Sequence, residues 1–428
     1  MKRHFWASIM ILTALTLTAC SSASGSSSES AAEIPDPVTT AAAETKEAQT
    51  TPAVKYDYIH GDDGYYCITD EMPDRKWKTQ SRGTCWLHAC CASMETEYFK
   101  ENGSYIHLKP MDLADVIYGD YKEEGFFPKK GFDKYDIGGW QWMVTETLSR
   151  GFDDLTIDSS IILDETDRET IKKNLRERGA VAIGTLDLDD SKKGIFGSYF
   201  TMNDTENKEF DHDITIVGYD DHFPKEYFKE PAAEDGAWLT YNSSFSGDRL
   251  YYVSYCTPIQ YAISHSVTDK YSEVLSYDAG NEQDRCFKTG DRTKTANIFH
   301  KAGKLAAVGT YNDLDSQDIK IEIYDADFNE VLYSQDAVLD YHGYHTIELD
   351  DPIDVTDYAV AVTYSKAAPV EGETIDYGDT DYKTVSESGQ SYVYTKNGWK
   401  DMTDDVIKKV LNIDFEPNNC CIKALYTE

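Results

Sequence analysis

Apolar residues that follow Cys85 recur at the spacing of an α-helix. They are Leu87, Cys90, Cys91, Met94 and Tyr98. Positions three or four residues apart lie on one face of a helix, and Gly83, just before the run, is a residue that interrupts regular structure. The pattern therefore predicts a helix that has Cys85 at its N-terminus.

Two later segments have the pattern of apolar residues that is typical of β-strands. Residues 211–219 begin with Asp211 and His212 and end in a Gly-Tyr turn, and residues 237–241 lead directly into Asn242. Short runs rich in β-branched and aromatic residues that end at turn residues are typical of strands. We therefore expect His212 at the start of one strand and Asn242 just after the end of another.

From about Tyr271 onward the chain alternates short apolar segments with polar turns. The segments are residues 297–299, 305–308, 319–324, 358–362 and 391–394. Asn, Asp and Gly residues separate them, and such spacing is typical of an antiparallel β-sandwich. The C-terminal part is therefore predicted to be a separate all-β domain.

The first twenty residues have the pattern of an export signal. Lys2 and Arg3 precede a short apolar run at residues 6–19, which is too short to span a bilayer comfortably. The segment Leu17-Thr18-Ala19-Cys20 resembles the bacterial lipobox. That resemblance implies that Cys20 is diacylated and becomes the N-terminus after cleavage, and two acyl chains suffice for stable anchoring. The alternative is an ordinary signal peptide with a chance cysteine.

Composition and charge set the broader limits. Residues 21–55 are almost entirely Ser, Ala, Thr, Glu and Pro, so we expect a disordered tether. The 428-residue length accommodates two folded domains after it, predicted at residues 56–265 and 270–428. The formal net charge of −36 argues against a nucleic-acid partner, because an acidic surface repels phosphate.

The nine cysteines are not arranged as a disulfide scaffold. Once Cys20 and Cys85 are set apart an odd number remains, and no pair has the spacing of a zinc site. We therefore expect most of the others to be buried free thiols. Two groups, Asp187 with Asp189 and Asp190, and Asp325 with Asp327 and Asn329, are similar to the start of a calcium loop. They lack its glycine and terminal glutamate, so solvated turns and no metal site are expected.

Cys85 is the candidate nucleophile. The unpaired N–H groups and positive dipole of a helix N-terminus favour thiolate over thiol. His212 and Asn242 follow it by 127 and 157 residues (212 − 85 and 242 − 85). The order Cys, His, Asn and these separations are close to those of papain and the cathepsins.

Several motifs together resemble the papain family of cysteine peptidases. They are Gln80 with Gly83-Thr84-Cys85-Trp86, then Asp211-His212, then Trp238-Leu239 leading to Asn242. The turn Gly218-Tyr219-Asp220-Asp221 makes the chain similar to bacterial members that carry a lectin-like domain after the peptidase. The resemblance implies an α+β fold, a helical subdomain plus a β-barrel-like subdomain, followed by the antiparallel β-sandwich.

The resemblance also implies a role for each site residue. Cys85 attacks the scissile carbonyl, His212 exchanges the proton, and Asn242 holds the imidazole in its productive tautomer. The Gln80 side chain and the Cys85 backbone N–H stabilise the oxyanion. Gly138 and Gly139 precede a helical run (Met143, Thr147, Leu148), as the paired glycines of the papain substrate groove do. An ordinary loop glycine pair is the alternative.

The chain departs from the family pattern at three positions, and two of them, the spacing of Gln80 and the presence of Ser244, favour a second reading. Gln80 lies five residues before Cys85 instead of six, and Ser244, followed by Phe245, stands where a tryptophan normally shields the histidine and asparagine. Asp213 replaces a small apolar residue beside His212. The second reading is a catalytically impaired papain-like surface protein that acts as an adhesin or binding module. A third is transpeptidation or amidase action on wall peptides by the same thiol.

Several segments of the C-terminal half indicate the partners of the protein. Residues 343–346, 388–392, 398–399 and 421–424 resemble the lectin-like domain of the bacterial subfamily. We therefore expect a polypeptide substrate, no cofactor, and a carbohydrate or cell-wall surface as the partner of this domain. The lipobox predicts a protein exported and anchored to the outer face of the bacterial cell membrane.

Overall fold

A central helix, α1 (Cys85–Asn102), begins where the sequence predicts it. Residues 86–97 are all buried, so the helix is surrounded by protein on every side along these turns. It ends at Gly103, whose left-handed backbone (φ 66°) closes the last turn. The computed structural model describes residues 58–61, 63–119, 124–186, 192–206, 210–244, 250–281, 285–314 and 316–428.

The other helices are short. They are α2 (Pro110–Ile117), α3 (Gln141–Leu148), α4 (Arg168–Glu177) and α5 (Ile407–Leu411), with 3₁₀ turns at Ile68–Asp70 and Lys225–Tyr227. The predicted run around Met143 is confirmed as α3. No helix within the described ranges has the length and apolarity needed to cross a membrane.

The first half of the chain forms the strands that surround α1. They are β1 (Tyr65–Cys67), β2 (Gly125–Pro128), β3 (Thr156–Leu163), β4 (Val181–Leu186), β5 (Gly194–Phe196), β6 (Tyr199–Met202), β7 (Phe210–Asp220), β8 (Ala237–Tyr241), β9 (Tyr251–Ser254) and β10 (Gln260–Thr268). Strand β7 is central, since it pairs antiparallel with β1, β4 and β8. β8 has the predicted bounds, whereas β7 begins at Phe210, so His212 is its third residue.

The C-terminal half is an antiparallel β-sandwich, as predicted. Its strands are β11 (Glu273–Leu275), β12 (Cys286–Phe287), β13 (Thr293–Asn312), β14 (Gln317–Asp325), β15 (Val331–Leu339), β16 (His342–Tyr364), β17 (Ala368–Pro369), β18 (Ile375–Asp376), β19 (Thr380–Lys383), β20 (Ser391–Thr395), β21 (Gly398–Asp401) and β22 (Ile422–Thr427). The predicted segments 297–299 and 305–308 are one strand, β13. The pairing of β13 with β16 shifts register at His300/Gly303 and at Leu305/Ala307. These irregularities let the strand continue through the exposed residues that separate the two predicted segments.

The two halves share hydrogen-bonded strands. β16 pairs antiparallel with β3, and β19 pairs with β2. Contacts group Tyr56–Glu428 as one unit, and the division at residues 265–270 stays a prediction. The predicted signal peptide with Cys20 and the tether at residues 21–55 lie outside the described residues.

Candidate active site

His212 and Asn242 are joined by a hydrogen bond. The Nε2 of the half-buried imidazole lies 2.9 Å from Asn242 Oδ1. The Ser244 backbone N–H also donates to Oδ1, at 2.9 Å, which fixes the orientation of the carboxamide. Because Oδ1 only accepts hydrogen bonds, Nε2 carries the proton, and Nδ1 is left as the basic nitrogen.

Strand register explains why these residues meet. β7 and β8 pair antiparallel with Thr215 opposite Tyr241. Continued past the end of β8, the same register brings Asn242 beside the start of β7 and Ser244 opposite His212. Ser244 Oγ lies 3.4 Å from His212 Nε2, so the residue that replaces the expected tryptophan gives the imidazole a polar neighbour. Phe245 lies outside the described residues.

Cys85 is the first residue of α1 and is a free, partly exposed thiol. The pKa of the thiol is raised to about 12, first by burial and then by the Asp213 carboxylate, although a hydrogen bond from the Asp213 backbone N–H to the sulfur acts in the opposite direction. The contact with Asp213 brings the sulfur beside the start of β7. The raised pKa favours the thiol over the thiolate that the helix N-terminus led us to expect, because desolvation disfavours the charged form.

Gln80 lies in the loop before α1 and is tied to the segment after β8. Its backbone N–H donates to Ser243 O at 2.8 Å, and Ser243 Oγ donates to its side-chain Oε1 at 2.5 Å. The Nε2 donates to Arg82 O at 3.1 Å, and one hydrogen of the amide is left for another acceptor. The structure thus brings Gln80 to the neighbourhood of Asn242 in spite of its shortened spacing.

Gly138 and Gly139 have different surroundings. A Cβ on Gly139 would lie 2.4 Å from the Trp86 indole, so this glycine allows the loop to pack on the residue after Cys85. A Cβ on Gly138 would meet no atom within 4 Å, and its backbone is left-handed (φ +76°). Gly139 is therefore a packing residue, whereas Gly138 faces open space, the condition that a substrate-groove glycine needs.

Arg82 links the loop before Cys85 to the loop before Gly138. Its guanidinium donates to the Asp136 carboxylate at 2.7 and 2.6 Å and to Asp133 at 2.6 Å. The planar fork makes a two-point contact with Asp136, which restrains direction as well as distance. Neither aspartate belongs to a recognisable motif, so this contact could not be predicted from the sequence.

Asp213 extends the polar site beyond the expected residues. Gln141 Nε2 donates to its Oδ1 at 2.8 Å. Burial raises the pKa of the carboxyl to about 6, while the Gln141 hydrogen bond and the His212 charge lower it. Sequence reasoning placed Asp213 beside His212 but missed Gln141, whose only signal is its position directly after the Gly138-Gly139-Trp140 motif.

Two other histidines of the described region do not serve the cleft. His88 is buried, its Nδ1 lies 2.9 Å from Thr84 O within its own helix, and burial lowers its pKa. His222 is exposed in the turn after β7. Cys67, Cys90, Cys91, Cys420 and Cys421 are buried free thiols, as expected. Asp325 accepts backbone N–H groups of Asn329 and Glu330 and thereby closes an ordinary hairpin turn.

Known proteins resemble the chain in both halves. A family model described as a lectin like domain matches residues 276–427. The structure is similar to the clostridial cysteine protease Cwp84 after propeptide cleavage, with a TM-score of 0.67 and 17% identity over 85% of this chain and 99% of that one. It is also similar to the cysteine protease and lectin-like domains of Cwp84, a surface layer associated protein of Clostridium difficile (TM-score 0.64, 16% identity, 86% and 90% covered). No curated protein sequence matches the chain. At these identities the likeness establishes the fold.

Proposed function

Since the chain has the fold of a papain-like cysteine peptidase followed by a lectin-like domain, we propose that it is an extracellular, membrane-anchored peptidase. It hydrolyses peptide bonds through Cys85, His212 and Asn242. The observation that carries the proposal is the 2.9 Å contact between His212 Nε2 and Asn242 Oδ1. This contact leaves the imidazole with one basic nitrogen, and the Cys85 sulfur is beside the next residue of the same strand.

The proposed reaction follows from this protonation state. His212 Nδ1 accepts the thiol proton as the Cys85 sulfur attacks the substrate carbonyl carbon. The carbonyl oxygen becomes an oxyanion, which accepts hydrogen bonds from the Cys85 backbone N–H and the Gln80 side-chain amide. The imidazolium then gives its proton to the leaving amine, and a thioester remains. Water activated by His212 hydrolyses the thioester, which releases the acid and restores the thiol.

The raised pKa of Cys85 determines when the proton moves. A thiol whose pKa is about 12 is protonated at neutral pH, so the reaction begins from thiol and neutral imidazole. Substrate binding excludes water and places a carbonyl where it accepts the sulfur's electrons, so proton transfer and attack are coupled. Asp213 also contributes, because its carboxylate near the sulfur opposes a free thiolate in the absence of substrate.

The second candidate function is a catalytically impaired surface protein that acts as an adhesin or binding module. Two observations favour it: the raised thiol pKa, and the Gln80 amide that already donates to Arg82 O at 3.1 Å. A third candidate, transpeptidation or amidase action on wall peptides, would use the same thiol. Transpeptidation would transfer the acyl group to an amine instead of water, and amidase action would cleave a different amide bond.

Export and anchoring rest on the sequence of the first twenty residues. The lipobox at Cys20 supports a mature protein held by two acyl chains on the outer face of the bacterial cell membrane. Growth with a clickable palmitate analogue would label the protein, and Cys20→Ala would abolish the label. The lectin-like domain supports a carbohydrate or cell-wall partner.

An irreversible epoxysuccinyl inhibitor tests the peptidase proposal. Incubation of the purified chain at pH 7, followed by digestion and mass mapping, should show adduct on Cys85 well before Cys256, a partly exposed thiol outside the proposed triad. His212→Ala should remove the preference, because no base then assists the sulfur. Equal slow labelling of both cysteines in the parent chain would favour the adhesin instead.

A further inference from the structure

A cavity with a basic lining lies in the lectin-like domain, remote in sequence from Cys85. Its volume is about 480 Å³, within the range of pockets that hold small ligands. The lining residues are Lys288, Thr289, Thr395, Lys396, Asn397, Lys400, Val406, Lys409, Val410, Leu411 and Asn412. Four of these are lysines, and none of the described residues that line it is acidic.

Three chain segments meet around the cavity. One is the hairpin formed by β20 and β21, with Lys396 in its turn and Lys400 in β21. The second is α5 with Asn412, which ends the helix in a left-handed conformation (φ 55°). The third is the segment after β12 that carries Lys288. Lys288 is therefore brought together with three lysines of residues 396–409, which lie at least 108 residues later in the sequence (396 − 288).

The four lysines of the lining differ from several other lysines of the domain, which form salt bridges. Lys294, Lys301 and Lys408 form salt bridges with Glu322, Glu273 and Glu416 at 2.6 Å each. Across the residues that the structure describes, no salt bridge involves Lys288, Lys396, Lys400 or Lys409.

The net charge of the whole chain makes this cluster informative. The chain has 77 Asp and Glu residues against 41 Lys and Arg, so a cavity lined by four lysines and no acidic residue differs in charge from the chain as a whole. Four unpaired ammonium groups around one cavity repel one another, and an anion inside it would relieve that repulsion. The cavity therefore has the charge of a site for a negatively charged group.

The remaining lining favours a sugar as the carrier of that charge. Val406 and Val410 are 54% and 46% exposed, which gives the cavity an apolar wall. Thr289, Thr395 and Asn397 supply hydroxyl and amide groups that both donate and accept hydrogen bonds. A saccharide has apolar C–H faces, hydroxyl groups and, when acidic, a phosphate or carboxylate. We propose that this pocket binds an anionic saccharide, with the lysines on its phosphate or carboxylate group, an inference that rests on the carbohydrate partner proposed above for the lectin-like domain.

A titration with defined oligosaccharides tests the proposal. The probes are oligogalacturonate, the neutral galactose oligomer of equal length, and inorganic polyphosphate, with binding to the full chain followed by calorimetry. Oligogalacturonate should bind at least tenfold more tightly than either control, and its affinity should fall as sodium chloride rises, since salt screens the lysines. Equal binding of the neutral oligomer would refute a charge-selective site, and equal binding of polyphosphate would refute recognition of the sugar.

Adjacent residues of α5 provide a matched pair of variants. Lys409→Gln removes one charge from the lining and should weaken oligogalacturonate about tenfold, the worth of one charge-assisted hydrogen bond. Lys408→Gln makes the same chemical change next to it, but Lys408 pairs with Glu416 and does not line the cavity, so affinity should stay within twofold. Equal losses in the two variants would show a diffuse effect of net charge and overturn the proposal. Cys85→Ala should bind as the parent does, since the pocket is independent of the peptidase site.

Discussion

Replacement of Asn242 by alanine tests how the imidazole is held. Asn242 is 2% exposed, and its Oδ1 accepts two hydrogen bonds, one from His212 Nε2 and one from the Ser244 backbone N–H, each 2.9 Å long. Only the first acts on the imidazole. A neutral hydrogen bond contributes about 0.5–1.5 kcal/mol, so its loss should lower kcat/KM about three- to tenfold.

Ser244 should limit the loss. Its Oγ lies 3.4 Å from the same His212 Nε2, too long for a strong hydrogen bond yet near enough to become one after a small rotation. In Asn242→Ala the hydroxyl can therefore accept the Nε2 proton and preserve the tautomer. Ser244→Ala alone should change kcat/KM less than twofold, because Asn242 remains the acceptor. In the double variant both acceptors are gone, and we expect the full loss of about tenfold, against about threefold in Asn242→Ala, so the combined loss exceeds the product of the single effects.

The assay is hydrolysis of a fluorogenic peptide at pH 7 by the four members of this cycle, with His212→Ala as the baseline for loss of the base. Thermal unfolding of each variant shows whether the fold is intact, since Asn242 is buried. Three results would refute the reasoning: additive losses in the cycle, a loss in Asn242→Ala equal to that in His212→Ala, or a larger effect from Ser244→Ala than from Asn242→Ala.

Three further substitutions test other contacts of the cleft. Gly139→Ala should lower the melting temperature by several degrees, since its Cβ would lie 2.4 Å from the Trp86 indole and overpacking costs about 1–3 kcal/mol; an unchanged temperature would contradict that contact. Arg82→Ala should lower kcat with little change in melting temperature, because exposed ion pairs contribute less than about 1 kcal/mol to stability; an unaltered kcat in a stopped assay would show that the loop needs no such restraint. Asp213 has a folded-state pKa of about 6, above its ordinary value of 3.8, so its ionisation costs native-state stability as pH rises through that interval. Asp213→Asn should therefore raise the free energy of unfolding by about 2–3 kcal/mol at pH 7 but not at pH 3. It should also lower the pKa of Cys85, which is measured by iodoacetamide alkylation as a function of pH. Equal stabilisation at both pH values would contradict a buried carboxylate.

Local patterns of the sequence were enough to locate the elements that bear the site. The helical spacing after Cys85 and the apolar run at residues 237–241 depend only on neighbours in the chain. The structure begins α1 at Cys85 and ends β8 at Tyr241. The antiparallel register between β7 and β8 then brings His212 next to Asn242. The sequence motifs that contain these two residues therefore reflect the register only indirectly.

Contacts between distant segments could not be predicted in the same way. Gln141 and Asp213 are 72 residues apart, and Arg82 and Asp136 are 54 apart. Nothing in the sequence near either residue reports its partner, because the distance between them depends on how whole elements pack. The raised pKa of Cys85 could not be predicted for a related reason. The helix N-terminus can be inferred from the sequence, but desolvation depends on the tertiary surroundings of the sulfur.

The lectin-like half also contributes to the cleft itself. The loop that follows Gly138 and Gly139 carries Trp140, whose ring centroid lies 5.2 Å from that of Tyr377 in the lectin-like half. Tyr344 of β16 is fully buried in the same apolar cluster as Trp86. Trp86 and the loop that carries Gly138 and Gly139 therefore pack together with the sandwich. Since β2 and β3 also obtain strand partners from the sandwich, the peptidase half alone would expose two strand edges and lose support for its rim. The sandwich is thus part of what shapes the cleft, in addition to any ligand that it binds.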